Sequence, residues 1–198
     1  MDKQTLFAYD ATPAQFAQDW RDQSAPTDLH ELLRTHFNSV PTIDVGCGSG
    51  RDVAWLGANG YEASGVDPSE GLLREARAAY PGLGFGLAAL PALVGLQAGA
   101  YQNVLCETVV MHLDPREVGP ATRRLLELLR PSGTLFLSWR VTEGDSQRDK
   151  HGRLYAAFDK HLVTDEIAGQ TVLLDQEDVN LSSGKKVHRL IVRKTGAA

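Results

Sequence analysis

Thr42-Ile43-Asp44-Val45-Gly46-Cys47-Gly48-Ser49-Gly50, with Val66-Asp67 following at the distance of one helix and one strand, is the stretch that decides the fold class. The apolar run Val40 to Val45 predicts a buried strand. It breaks into glycines at alternate positions, then into a helical stretch from Arg51 to Asn59 that Gly60 stops. A second strand, Tyr61 to Val66, ends on the acid Asp67. Strand, glycine turn, helix, strand and acid, in that order, hold an adenosine-containing cofactor at the end of a parallel sheet. Glycine lets the backbone turn sharply and approach a ligand closely, since no Cβ intervenes. A carboxylate at the tip of the second strand is placed to accept two hydrogen bonds from a ribose diol.

The loop spacing separates cofactor classes. Dinucleotide sites read G-x-G-x-x-G, because a pyrophosphate rests on the helix N-terminus. Here the spacing is G-x-G-x-G, and Asp44 stands two residues ahead of Gly46, where a carboxylate repels phosphate and suits a cation or amine. Ile43 to Gly50 together with Gly65-Val66-Asp67-Pro68-Ser69 resembles the first two motifs of class I S-adenosylmethionine-dependent methyltransferases. Tyr101 to Leu113 is similar to that family's fourth strand and the turn after it, and Leu128 to Leu137 to the entry of its fifth strand. The four segments fall in the family's order over residues 40 to 140.

That resemblance implies an α/β fold: a doubly wound, seven-stranded Rossmann-like sheet of order 3-2-1-4-5-7-6, strand 7 antiparallel, with an N-terminal helical cap. It implies S-adenosylmethionine as cofactor. Gly46, Cys47, Gly48 and Gly50 would pass under its methionine and adenosine portions, and Asp44 would lie near the methionine amino group. Asp67 would hold the ribose diol, Pro68 would shape the loop beside adenine, and Cys106 would face the methionine moiety. The third motif departs from the family. Gly86 stands where an Asp or Asn often holds the adenine amino group, which leaves adenine to backbone groups near Leu87 and Ala88 and to apolar packing.

Composition narrows the rest. With 198 residues, 42% of them apolar, and no linker, the chain suits a single domain, 1–198, with a full core. It divides into a cap (1–37), a cofactor-binding core (38–140), a lid with a helix (141–170) and a terminal hairpin (171–194). A formal charge of −5 argues against an electrostatic grip on nucleic acid. Two cysteines, Cys47 and Cys106, make neither a disulfide framework nor a metal set, which points to a reducing cytoplasm. No stretch approaches the length of a membrane span, so no membrane partner is expected.

Thr12-Pro13 opens a helix bearing Phe16 and Trp20 on one face. Asp28 and Glu31 have capping-box spacing for a second helix, Asp28 to Phe37. Tyr9, read as a loop residue, and Trp20 are candidates for lining the cofactor site; packing on the first helix is the competing role. Asp114-Pro115-Arg116-Glu117 starts a helix that runs to Arg130. Pro131-Ser132-Gly133 then turns into a strand over Thr134 to Arg140. Val141 to Arg153 is polar and reads as a mobile excursion, and a short helix is expected near Thr164 to Gly169. Val172 to Leu181 and Val187 to Lys194 alternate apolar and polar residues around Ser182-Ser183-Gly184-Lys185, as a hairpin does.

Methyl transfer from a sulfonium is an in-line displacement on an already activated carbon, so alignment supplies most of the catalysis. No nucleophilic triad or metal site is visible. Glu107 stands where a small residue is common in the family and is a candidate to face the acceptor. His112 is either a general base or a structural member of the turn before the next helix. His151 and Tyr155, in the lid, are weaker candidates. A small-molecule acceptor fits best. A likeness of Gly46 to Tyr61 to tellurite-resistance methyltransferases adds a chalcogen oxyanion or a thiol as possibilities. The competing readings are an NAD(P)-dependent oxidoreductase and a non-catalytic S-adenosylmethionine-binding protein.

Overall fold

The computed structural model describes residues 1–38 and 40–196. Three N-terminal helices, α1 (Lys3–Ala11), α2 (Pro13–Asp22) and α3 (Thr27–His36), precede the sheet. The core then alternates β1 (Thr42–Val45), α4 (Arg51–Ala58), β2 (Ala63–Asp67), α5 (Glu70–Ala79), β3 (Gly84–Leu87) and β4 (Tyr101–Cys106). A 3₁₀ turn (Val110–His112), α6 (Pro115–Leu128) and β5 (Leu129–Arg140) follow. A two-stranded ribbon, β6 (Gln147–Arg148) with β7 (Leu154–Tyr155), and the single-turn α7 (His161–Thr164) lead to the terminal hairpin, β8 (Thr171–Val179) and β9 (Lys186–Arg193).

The seven-stranded sheet runs β3-β2-β1-β4-β5-β9-β8, the order expected, with β9 antiparallel to both of its neighbours. Chain order reverses between β1 and β4, so a crevice opens at their C-terminal ends, where open α/β sheets bind ligands. β1 is buried along its whole length, as a central parallel strand covered on both faces must be. The pleat sorts the core into two halves. Leu105 and Phe136 meet Leu29, Leu33 and Phe37 of the α3 region on one face. Val104, Leu135 and Leu137 meet Val118, Ala121 and Leu125 of α6 on the other.

Local chemistry sets the element ends. Asp114 caps α6 by accepting from the Arg116 N–H at 2.9 Å, with Pro115 at the first position, as expected. Ser69 caps α5 through the Leu72 N–H. Four readings need correction. Tyr9 lies in α1, not in a loop; Asp2 starts that helix by accepting from the Thr5 N–H at 2.8 Å, a cap with little apolar periodicity behind it. α3 begins at Thr27, and Asp28 caps nothing because its carboxylate is committed to Arg189 of β9. α6 stops at Leu128, two residues early, since Pro131 disfavours helical backbone at Arg130, and β5 already begins at Leu129. α7 lies one turn earlier than expected because Asp159 accepts from the His161 N–H.

The polar segment 141–155 also differs from its reading. It folds as the β6–β7 ribbon and is tied to α1: Arg148 pairs with Asp2 at 2.8 Å, and the Leu154 N–H donates to Thr5 Oγ1 at 2.8 Å. This segment and the N-terminal helices together close over the crevice.

Candidate active site

A cavity of about 560 Å³ occupies the crevice, walled by the glycine turn, the ends of β2, β4 and β5, the N-terminal helices, the ribbon and the terminal hairpin turn. The glycine turn forms its floor. Gly46, Gly48 and Gly50 all have positive φ, and a Cβ on Gly46 would stand 2.3 Å from the Val109 side chain. A Cβ on Gly48 would meet the Trp20 ring at 2.8 Å, so α2 lies directly on the turn.

The turn's own hydrogen bonds decide which ligand it suits. The Gly46 and Cys47 N–H groups donate to Val66 O, the Gly50 N–H to Cys47 O, and the Gly48 N–H to Asp67 Oδ2 at 2.9 Å. Four of its amides are thus satisfied within the protein, leaving little for a pyrophosphate to take up. Asp67 also accepts from the Ser69 N–H at 2.8 Å. A carboxylate offers about four lone-pair sites, so two remain for a ribose diol. Burial pushes the Asp67 carboxyl up to about 6, against the two amide bonds that pull it down. Asp44, buried in β1, is pushed well above the ordinary carboxylate range by burial and by the neighbouring Asp52. Such acids relax toward their ionised forms when a cation arrives, which fits an ammonium and a sulfonium rather than phosphates.

The middle of the cavity is built at the end of β4. Glu107 accepts from the Ser138 hydroxyl of β5, and from Asn180 Nδ2 at 3.1 Å across the turn of the terminal hairpin. Burial raises its carboxyl to about 7, with the Ser138 bond opposing and Asp52 reinforcing that shift. Beside it Arg51 pairs with Asp52 at 3.0 Å.

The far wall holds His112. Its Nδ1 meets the Leu154 carbonyl, which can only accept, so Nδ1 carries the proton. Nε2 is therefore the lone-pair nitrogen and accepts from the Tyr9 hydroxyl at 3.2 Å. Burial lowers the imidazole to about 4 and keeps it neutral, and burial lifts the Tyr9 phenol to about 12. Arg153, paired with Asp149 at 2.7 Å, lies over the Tyr9 and Phe16 rings, 5.5 and 4.9 Å from their centroids. His112 thus ties the ribbon to α1 through both ring nitrogens, and a proton from the cavity would reach its Nε2 by way of the Tyr9 hydroxyl that already donates to it.

Of the residues singled out in the sequence, Tyr9, Trp20, Gly46, Cys47, Gly48, Asp67, Glu107 and His112 come together on this one cavity, as does Tyr155. Asp44, Gly50, Pro68, Leu87, Ala88 and Cys106 do not line it. Leu87 lies 61% exposed on β3, the sheet edge, and the Cys106 thiol is buried and pushed well up. His151 meets the Phe16 ring edge-on rather than the cavity. Sequence reasoning missed Arg51, Arg140, Arg153, Asn180 and Lys185. Only Lys185 carried a signal, its place in a polar hairpin turn; Asn180 was read as part of the strand that in fact ends at Val179, and the others sit in stretches whose pattern says nothing of direction. No group of three or more metal-ligating side chains occurs among the described residues. No helix among them is long and apolar enough to cross a membrane.

Comparison with known proteins agrees with this geometry. Residues 43–137 match the family profile described as a methyltransferase domain. The ubiquinone biosynthesis O-methyltransferase of Methylococcus capsulatus is 36% identical over 133 residues, 60% of this chain and 55% of that protein. Its namesake in Caulobacter vibrioides is 31% identical over 124 residues, 60% of this chain and 48% of that protein. The chain spans about half the length of these curated relatives. Among solved structures, the 1,6-didemethyltoxoflavin-N1-methyltransferase of Burkholderia thailandensis, with 1,6-didemethyltoxoflavin and S-adenosylhomocysteine bound, superposes with a TM-score of 0.74 at 22% identity. That match covers 96% of this chain and 88% of the other. A putative methyltransferase of Haloferax volcanii, solved in complex with the Trm112 activator, reaches 0.76 at 14% identity, covering 98% and 99%. At these identities the structural likeness is one of fold.

Fold and site define an α/β domain whose crevice, at the ends of β1, β2 and β4, has an acidic lining that suits a cationic nucleoside. Profile and architecture agree for the segment that carries the glycine turn, Asp67 and Glu107: residues 43–137 match a methyltransferase domain, on the fold shared with S-adenosylmethionine-dependent methyltransferases.

Proposed function

We propose that this chain methylates a hydroxyl oxygen of a small-molecule acceptor. The observation that carries the reading is one cavity with a sulfonium-compatible acidic floor at one end and a buried, neutral imidazole lone pair at the other. The O-methyltransferase relatives favour oxygen as the acceptor atom, and a cavity of about 560 Å³ favours a small molecule over a polymer. The negative formal charge agrees with an acceptor other than nucleic acid, and two buried free thiols agree with a reducing cytoplasm.

When bound, S-adenosylmethionine supplies an activated methyl group. Asp67 would hold the ribose diol through its two spare lone pairs, and Gly46 and Gly48 let Val109 and Trp20 pack directly against the turn that floors the cavity. Asp44, buried in β1 and outside the cavity wall, would act on the methionine ammonium by its charge alone and without contact, whereas Glu107, which lines the cavity, would face the sulfonium. Trp20 and Tyr9 exclude water from above. Tyr9 and His112 would receive the acceptor hydroxyl: its proton would pass to the Tyr9 hydroxyl as Tyr9 passes its own to His112 Nε2, while the new O–C bond forms and the cofactor's sulfonium–methyl bond breaks. A base of depressed pKa serves because that proton grows acidic only during transfer. The His112 Nδ1–H bond to Leu154 keeps the lone pair aimed inward.

The test is S-adenosylhomocysteine release with a panel of phenols and catechols, comparing wild type with His112→Ala. Turnover is expected to fall about 10²–10⁴-fold in the variant while S-adenosylhomocysteine affinity stays within a factor of about two. Unchanged turnover would remove His112 from the chemistry. No turnover with any hydroxyl acceptor, but turnover with a thiol or amine, would move the acceptor atom away from oxygen.

A further inference from the structure

Four cationic side chains line the cavity: Arg51, Arg140, Arg153 and Lys185. Two are neutralised where they stand, Arg51 by Asp52 and Arg153 by Asp149. Arg140 and Lys185 have no carboxylate within ion-pair distance among the described residues, and no hydrogen-bond partner for their side chains. Lys185 is exposed at the rim, while Arg140 is half-buried at the C-terminal end of β5. The Arg140 guanidinium is nevertheless held, lying over the Tyr155 ring 4.7 Å from its centroid. Stacking engages one face of the group and leaves its fork of N–H donors to a partner the protein does not supply. Burying a guanidinium partway without such a partner costs free energy, so its retention at the wall of a ligand cavity calls for an anion.

Sheet order says which ligand meets it. Asp67, the ribose acid, ends β2; the glycine turn follows β1; Glu107 follows β4; Arg140 ends β5. Along that row, β5 lies beyond the methionine end of the cofactor and on the acceptor's side. Arg140 also pairs in register with Val187, two residues from Lys185, so both cations belong to the same edge of the opening. Tyr155 links this edge to the proposed base, packing edge-on against His112 at 5.2 Å between centroids.

We infer that the acceptor carries an oxyanionic group, a carboxylate or a phosphate, that Arg140 binds through its guanidinium fork with Lys185 at the rim. The inference rests on the methyl-transfer reading for the position of the acceptor, and it goes beyond it by naming a charge on the substrate. An oxyanion matches the planar fork bidentately, which fixes orientation as well as affinity, and the reacting hydroxyl would sit one ring's width away, near His112 and Tyr9.

The test uses matched probes on the intact protein saturated with S-adenosylhomocysteine. Calorimetry compares catechol, 3,4-dihydroxybenzoate and 3,4-dihydroxybenzylphosphonate, with wild type, Arg140→Gln and Arg140→Lys. At least one anionic probe is expected to bind about tenfold or more tightly than catechol. Arg140→Gln should abolish the difference, and Arg140→Lys should restore part of it. Whichever anion gains more identifies carboxylate or phosphate. Equal binding of all three probes to wild type, or a preference that survives in Arg140→Gln, overturns the inference. So does a weakened S-adenosylhomocysteine affinity in Arg140→Gln, which would assign the guanidinium to the cofactor's own carboxylate. Failure of wild type to bind S-adenosylhomocysteine at all is a separate result and strikes the methyl-transfer reading instead.

Discussion

Glu107 carries the sharpest consequence of burying acids around a cationic ligand. Burial raises its carboxyl to about 7, so it is protonated in mild acid and ionised above neutrality. The ionised form attracts a sulfonium, and S-adenosylhomocysteine, which lacks that charge, is nearly indifferent to it. The ratio of S-adenosylmethionine to S-adenosylhomocysteine affinity should therefore rise by roughly tenfold as pH passes upward through 7 and level off above it. Glu107→Gln should flatten the curve. A ratio that does not change between pH 5.5 and 8.5 would show that Glu107 does not face the sulfonium. At the same scale, Asp67's place on the cavity was legible because its distance from the glycines is set by a repeating βαβ geometry, whereas Asp44, read by the same rule, lies buried behind the cavity wall. Tyr9 was legible only as an aromatic near the start, since nothing in Lys3 to Ala11 announces a helix beyond the Asp2 cap.

Among the elements, the glycine turn is the least tolerant of change. Gly46 has φ +82° and would press a Cβ to 2.3 Å from Val109, whereas Gly60, with φ +84°, has open space around it. Both pay the left-handed backbone cost, and only Gly46 pays for the clash. Gly60→Ala should destabilise by about 1–2 kcal/mol, and Gly46→Ala by about 1–3 kcal/mol more, read from denaturant midpoints at equal m-values. Equal losses would mean that Val109 moves aside freely. The core strands were readable because alternating or continuous apolar runs have a physical cause in the pleat and the two covered faces. The β6–β7 ribbon was not: it is held by Asp2–Arg148 and Thr5–Leu154 contacts between segments some 150 positions apart, and no local pattern records a partner that distant.

For the molecule as a whole, the N-terminal cap and the antiparallel edge of the sheet are joined by a buried ion pair. Arg189, 1% exposed in β9, meets Asp28 of α3, with Asp178 at 3.4 Å. Burial alone would raise the Asp28 carboxyl, but the Arg189 hydrogen bond and charge hold it below its ordinary value. Asp28→Ala would leave a buried guanidinium short of its main partner, at a cost of about 3–5 kcal/mol, or about 10 °C in Tm. A loss under 1 kcal/mol would show that Asp178 or water replaces the carboxylate. Sequence spacing read Asp28 as a helix cap because a capping box and a long-range ion pair use the same residue, and only the folded chain distinguishes them. The strand order, by contrast, followed from the resemblance of four ordered segments, and the crevice between β1 and β4 follows from that order. The central claim is that this crevice is shaped for a sulfonium nucleoside and not for paired phosphates. Titration calorimetry of the wild-type protein with S-adenosylhomocysteine and, separately, with NADH tests it most directly. Saturable one-to-one binding of S-adenosylhomocysteine with no detectable heat from NADH is the expected result; binding of NADH with none of S-adenosylhomocysteine would contradict it.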